Sequence, residues 1–132
     1  MTAGHSGTLL AGKLGIKPGS RALVAAAPPG WALGGTAATV HTRAGAGPYD
    51  VILVFCPDVA SMVRQFPRLS ARLTTAGALW VAWPKKSGGM ATDLSERAVR
   101  EYGLESGLVD VLVCAVDETW SGLKFVRRLR DR

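Results

Sequence analysis

An apolar run closes on Trp83-Pro84-Lys85-Lys86, and the polar stretch Ser87-Gly88-Gly89-Met90-Ala91 leads from it to Thr92 and Asp93. Glu96 stands three residues after Asp93, the spacing of a capping box, so a helix is expected to start at Thr92 or Asp93. A helix start offers unpaired amides and the positive end of the helix dipole. Ammonium groups beside it would suit a phosphate or carboxylate. Lys85, Lys86, Thr92 and Asp93 are therefore candidates to hold a small anionic ligand, with Trp83 packing on an aromatic or apolar part of it. The competing reading is a pair of solvated lysines at a strand end.

Further candidates follow other apolar runs. Pro28, Pro29 and Gly30 come after residues 21–27, and Cys56, Pro57 and Asp58 come after residues 51–55. In an open parallel sheet the ligand crevice lies beyond the carboxyl ends of the strands, which places Pro28, Pro29, Gly30 and Asp58 beside the lysines. Asp58 can equally cap the next helix. Trp120, beside Asp117, Glu118 and Ser121, reads either as a lid over that crevice or as a packed side chain.

Hydrolytic and metal chemistry find little support. His5 and His41 are far apart in sequence, neither stands at a metal-ligand spacing, and no metal site is expected. Cys56 with His41 as base is a formal nucleophile pair, but a cysteine at a strand end is ordinarily inert core. Adjacent Asp117 and Glu118 point to opposite faces of an extended chain, against a paired acid and base. Neither a Walker loop nor Gly-x-Gly-x-x-Gly follows the first strand.

The elements that must position these residues are legible as apolar periodicity. Residues 21–27 form an apolar run stopped by Pro28-Pro29-Gly30, a buried first strand. Residues 38–43 are a weaker strand, and 51–55 are apolar without a break, which suits a parallel strand covered on both faces. Val59, Met62 or Val63, Phe66, Leu69 and Leu73 repeat at helical spacing, with Pro67 expected to kink or divide the helix. Gly77 should end that segment before a strand over residues 78–83. Leu94, Ala98, Val99 and Tyr102 stripe a second helix that stops at Gly107, and strands over 108–116 and 122–128 make a closing hairpin.

At 132 residues and 48% hydrophobic, the chain fits one domain, here residues 16–132 behind an amino-terminal arm, residues 1–15. No apolar run approaches the ~18 residues of a membrane span, and the first residues lack the pattern of a signal peptide; a cytoplasmic protein with no membrane partner is expected. Cys56 and Cys114 then read as reduced thiols. A net charge of +6 suits an acidic partner. Arg64, Arg68 and Arg72 recur every four residues, one stripe on a helix, and Lys124, Arg127, Arg128, Arg130 and Arg132 crowd the end of the chain. Both read as solvated faces or, alternatively, as a surface for nucleic acid.

Pro18-Gly19-Ser20-Arg21-Ala22-Leu23-Val24, Tyr49-Asp50-Val51-Ile52, Gly77-Ala78-Leu79-Trp80 and the terminal hairpin are laid out as in class I S-adenosylmethionine-dependent methyltransferases. More specifically, the chain resembles a bacterial family of unknown function along nearly its whole length. That likeness is carried by Ser6-Gly7-Thr8, Ala27-Pro28-Pro29-Gly30, Trp83-Pro84-Lys85-Lys86, Thr92-Asp93-Leu94 and the segment from Cys114 to Lys124. The resemblance implies an α/β, Rossmann-like, mostly parallel sheet with a C-terminal antiparallel hairpin, methyltransferase-like and shortened. It also implies a Gly-rich turn after the first strand for the cofactor and an acidic residue after the second for the ribose. Here that turn holds Pro28 and Pro29, and the second strand ends near Thr42-Arg43, both against S-adenosylmethionine as cofactor.

Three functions stay open at this point. The first is a non-catalytic or regulatory binding module on a degenerate methyltransferase-like scaffold, holding an anionic small molecule. The second is a methyltransferase with an atypical cofactor loop, and the third is a basic nucleic-acid-binding protein.

Overall fold

In the computed structural model, which describes residues 10–132, the apolar run at 51–55 lies inside a six-stranded sheet. The strands are β1 (Arg21–Ala25), β2 (Thr39–His41), β3 (Tyr49–Phe55), β4 (Leu73–Pro84), β5 (Leu108–Ala115) and β6 (Trp120–Arg127), in the order β2-β1-β3-β4-β6-β5. β2, β1, β3 and β4 run parallel, while β6 is antiparallel to both of its neighbours. The Rossmann-like sheet with its antiparallel terminal hairpin is therefore present. Two helices, α1 (Val59–Ser70) and α2 (Glu96–Glu105), flank β4 in sequence.

Both helices cover the same face of the sheet. Met62, Phe66 and Leu69 of α1 and Val99 of α2 join Leu23, Ile52, Val54, Leu79, Val81, Leu123 and Phe125 in one core. The opposite face carries Val24, Leu53, Phe55, Trp80 and Ala82. Ala11, Leu14 and Ile16 come from the segment before β1, Leu33 from the β1–β2 loop, and Val116 and Trp120 from the hairpin. Trp80 is fully buried there and donates its indole N–H to the Leu14 carbonyl at 3.0 Å. His5 and Ser6-Gly7-Thr8 lie outside the described residues.

Several sequence expectations need correction. Pro67 does not divide α1; it sits in the last turn of a helix that runs unbroken from Val59 to Ser70. Gly77 does not end an element but lies inside β4, where a run of extra residues bulges against β3 between the pairs Tyr49–Leu73 and Val51–Ala78. A Cβ at Gly77 would stand 2.9 Å from Thr74 Oγ1 and 3.0 Å from the Tyr49 carbonyl, so the close backbone approach at the bulge requires glycine. Asp93 does not cap α2; Ser95 does, accepting from the Ala98 amide at 3.1 Å. Asp58 caps α1 as expected, accepting from the Ser61 amide at 2.8 Å. Gly107, at φ 98°, ends the α2 segment as expected.

α2 reaches the sheet through a second glycine. A Cβ on Gly103 would fall 2.0 Å from the Phe125 ring, so the helix axis sits closer than any side chain permits. In an exposed helix Gly103→Ala would gain about 1 kcal/mol of helix propensity. Here overpacking, typically ~1–3 kcal/mol, opposes and should exceed that gain. Urea denaturation is expected to show Gly103→Ala less stable than the native chain; a more stable variant would mean that α2 does not rest on Phe125.

Candidate functional site

The carboxyl ends of β1, β3 and β4 lie side by side on one edge of the sheet, and the antiparallel register Pro84–Trp120 brings the start of β6 to the same edge. The residues picked out after each apolar run are thus gathered in one region. At β1 the chain leaves the sheet through Ala26, whose φ of 60° is left-handed and unfavourable for any residue with a Cβ. The Pro28 carbonyl then accepts from the Trp31 amide at 3.0 Å around Pro29 and Gly30, with Gly30 at φ 80°, a turn of the type II pattern. Here the prolines fix the turn and the glycine supplies the positive φ. The result is a loop that packs on the face opposite α1 and α2.

That departure opens a cavity of about 350 Å³ beside the ends of β1 and β2, lined chiefly by Val24, Ala27, Trp31, Leu33, Val40 and Thr42. Its walls are mostly apolar and suit an aromatic ring. Across the strand ends, toward α1, a second cavity of about 220 Å³ is lined by Ala25, Thr42, Arg43, Gln65, Arg68 and Leu69. Thr42 lines both.

An aromatic brace closes the rest of the edge. Trp31 and Phe55 meet edge to face at 4.9 Å, as do Phe55 and Trp120 at 5.0 Å. The Asp117 carboxylate ties them together. It accepts from the Trp31 indole N–H at 3.1 Å and from the Thr119 and Trp120 amides at 2.8 Å each. Trp120 is only 5% exposed and belongs to the core, so it is a packed side chain and not a lid.

Lys85 and Lys86 line a separate, open cavity of about 540 Å³ with Trp83, Ser95, Glu96 and Arg97. The helix start does border the lysines, but its N-cap oxygen is engaged by the Ala98 amide and its first turn brings in the Glu96 carboxylate. Thr92 and Asp93 do not line this cavity. Thr92 donates its hydroxyl to the Pro57 carbonyl at 2.7 Å, and Asp93 accepts from the Val59 amide at 2.9 Å, so together they lash the β4–α2 loop to the start of α1. Asp58 serves its helix cap, and the hydrogen bonds from Ser61 hold its carboxyl below the usual carboxylate range. Pro28, Pro29 and Gly30 shape the loop leading to the apolar cavity without being among its lining residues.

His41 is not the base for Cys56. Its Nδ1 lies 2.6 Å from the Tyr49 hydroxyl, which also accepts from the Gly45 amide at 2.8 Å. Among the described residues no group of histidine, cysteine and acidic side chains could hold a metal ion, and no helix is long and apolar enough to cross a membrane. The residues that sequence reasoning missed are Trp31 and Val40 of the apolar cavity and Thr42, Arg43, Gln65 and Arg68 of the polar one. The arginine spacing on α1 was a usable signal, but it pointed to a uniform stripe. In the folded chain Arg72 donates to the Gly45 carbonyl, Arg68 turns to the cavity and donates to Gln65 Oε1 at 2.9 Å, and Arg64 acts on Cys56 and Asp58.

No protein-family model matches the chain, and no curated protein sequence matches it. Solved structures do match it. The magnesium protoporphyrin IX methyltransferase of Synechocystis PCC 6803 with bound S-adenosylhomocysteine superposes with a TM-score of 0.63 at 15% identity, over 96% of this chain and 84% of that one. A ribosomal protein L11 methylase from Lactobacillus delbrueckii subsp. bulgaricus gives 0.56 at 13% identity, over 93% and 77%. An rRNA methylase from Streptococcus thermophilus gives 0.51 at 11% identity, over 97% and 98%. The chain has the fold of class I S-adenosylmethionine-dependent methyltransferases. At these identities the likeness is one of fold.

Burial removes Cys56 from nucleophilic chemistry. Desolvation first, and the Asp58 carboxylate second, push its thiol up to about 12 from the ordinary 9.0. At pH 8 the thiolate fraction is on the order of one in 10⁴. A thiol raised on folding stabilises the fold fully below its unfolded value and ceases to do so as pH rises through the folded one, here between about 9 and 12. Iodoacetamide at pH 8 should therefore label half-buried Cys114 and spare Cys56 until urea unfolds the chain. Rapid labelling of Cys56 in the native protein would contradict its burial.

Proposed function

We propose that this chain is an S-adenosylmethionine-dependent methyltransferase with an atypical cofactor loop, the adenosyl group lying in the apolar cavity at the carboxyl ends of β1 and β2. The observation that carries this reading is the position and lining of that cavity. It lies at the strand ends where an open parallel sheet takes its ligands, and its walls offer Trp31, Val40 and Leu33 to the face of a purine. The fold likeness supports it as well, because neighbours in that fold were solved with bound S-adenosylmethionine and S-adenosylhomocysteine. It weighs for the enzyme over the non-catalytic module.

The residues present fit an adenine better than they fit a conventional ribose contact. No carboxylate ends β2; the Thr42 hydroxyl is the polar group at that place and can both donate and accept. The left-handed Ala26 does the work expected of a glycine, turning the backbone so that residues 27–34 wrap the cavity. When bound, the sulfonium supplies an activated methyl group, which passes to a nucleophile and leaves a thioether. Of the chain, this chemistry asks chiefly for binding and alignment. The Trp31–Phe55–Trp120 brace, fixed by Asp117, holds one wall of the cavity rigid for that purpose.

Isothermal titration with S-adenosylhomocysteine tests the assignment. The native chain should bind it, and Ala32→Phe, which fills the cavity from an exposed position, should weaken binding about tenfold or more. Lys85→Ala with Lys86→Ala should leave it unchanged. Failure of the native protein to bind either S-adenosylmethionine or S-adenosylhomocysteine would overturn the reading, as would equal affinity in Ala32→Phe.

A further inference from the structure

We infer that the polar cavity between the end of β2 and α1 is an oxyanion site, built to take a phosphate or carboxylate group through Arg43 and Arg68. The inference goes beyond the cofactor assignment and does not need it. Nine residues line this cavity of about 220 Å³; two of them are arginines and none is acidic. Its remaining polar groups, the Thr42 hydroxyl and the Gln65 amide, are neutral. A guanidinium is a planar fork of donors that matches a carboxylate or phosphate edge, and two of them facing one cavity repel each other unless an anion lies between them.

Several of the surrounding arginines are already engaged. Arg72 donates to the Gly45 carbonyl, and Arg21 donates to the carbonyls of Ala46 and Pro48, so both are spent clamping the loop of residues 42–48. Arg127 likewise donates to the Ser70 and Leu73 carbonyls at 3.2 and 3.1 Å. Arg100 is paired with Glu96 and Asp110. Arg68 has no such use. It makes one bond, to Oε1 of Gln65, itself 8% exposed, and this bond orients the guanidinium over the cavity while leaving further N–H donors free. Among the described residues neither Arg43 nor Arg68 forms an ion pair. The loop that Arg21 and Arg72 pin down is the one that carries Arg43, so the cationic wall is held in place by carbonyl contacts that spend no acid.

The anion can come from a separate phosphate-bearing ligand or from the carboxylate of the molecule in the adjoining apolar cavity, since Thr42 borders both spaces. Three probes separate these sources: inorganic phosphate, S-adenosylhomocysteine, and 5′-methylthioadenosine, which keeps the adenosyl group but lacks the carboxylate. Each is titrated by calorimetry into the native chain, into Arg43→Ala with Arg68→Ala, and into Lys85→Ala with Lys86→Ala. Both arginines are exposed, so folding should survive; the Arg43→Gln, Arg68→Gln pair repeats the measurement with the side-chain stems retained.

The arginine variants should weaken phosphate about tenfold or more, or weaken S-adenosylhomocysteine to that extent while sparing methylthioadenosine. The first result identifies a phosphate-bearing ligand and the second the carboxylate. Affinities unchanged by the arginine substitutions, or phosphate binding lost to the lysine variant instead, overturn the site. If phosphate binds through the arginines while neither adenosyl compound binds at all, the oxyanion site stands and the cofactor assignment falls. If S-adenosylhomocysteine binds the arginine variants at full strength and phosphate binds nowhere, the reverse holds.

Discussion

A parallel sheet has to be covered on both faces, and this chain supplies its two longest helices to one face only. The other face, which includes Trp80, Phe55 and Leu53, is sealed by short pieces of chain: the helical turn at residues 10–13 with Leu14 and Ile16, the loop through Leu33 and the hairpin at Trp120. Burying a side chain the size of Leu14 contributes roughly 1.5–3 kcal/mol, and the Trp80–Leu14 hydrogen bond adds about 1 kcal/mol. Against a net stability of ~5–15 kcal/mol for a domain, that is a substantial share. Ala11, Leu14 and Ile16 are thus part of the folded core. At the carboxyl edge of this face the β1–β2 loop and the strand ends enclose the apolar cavity.

The same economy governs the charges. Several arginines end on backbone carbonyls: Arg21 and Arg72 on residues 45–48, Arg127 on residues 70 and 73. Loops that replace helices expose carbonyls without intrachain partners, and a buried or half-buried carbonyl left unpaired is costly. Guanidinium groups solve this because each offers several donors in a fixed plane. A basic composition therefore belongs partly to how the loops are held. What distinguishes Arg43 and Arg68 is their place: both line one small cavity that no acidic side chain borders.

Much of the fold could be read from periodicity. The strand runs near residues 21, 51 and 78, the helix capped by Asp58, the left-handed stop at Gly107 and the closing hairpin all follow from local rules that the folded chain keeps. The errors share a cause. Gly77 and Asp93 carry strong local signals, a breaker and a cap, whose meaning was reset by tertiary contacts: a bulge pressed against Tyr49, and an amide of another helix. The candidate site was half legible. That ligands lie at strand ends is a property of topology, so the region was found; which side chains line it depends on the path of residues 26–48, a stretch with almost no periodicity. Trp31, Arg43 and Arg68 converge only once that path is known.

Ala26 shows why that path is what it is. A non-glycine residue in the left-handed region carries strain of order 1–3 kcal/mol, which persists only where the surroundings impose it. Ahead of it, Ala25 is held in the core and by its pairing with Val54; after it, the prolines narrow the conformations of Ala27 and Pro28, and Trp31 is held by Asp117 from the far hairpin. The strain is therefore sustained from both sides, by the sheet and by the aromatic brace. The brace begins in the hairpin that closes the sheet, so the β1 turn is held by contacts with the start of β6. The first strand's exit, and with it the wall of the apolar cavity, depends on the last strand of the chain. The cavity is thus a property of the completed fold, formed by contacts more than eighty residues apart in sequence.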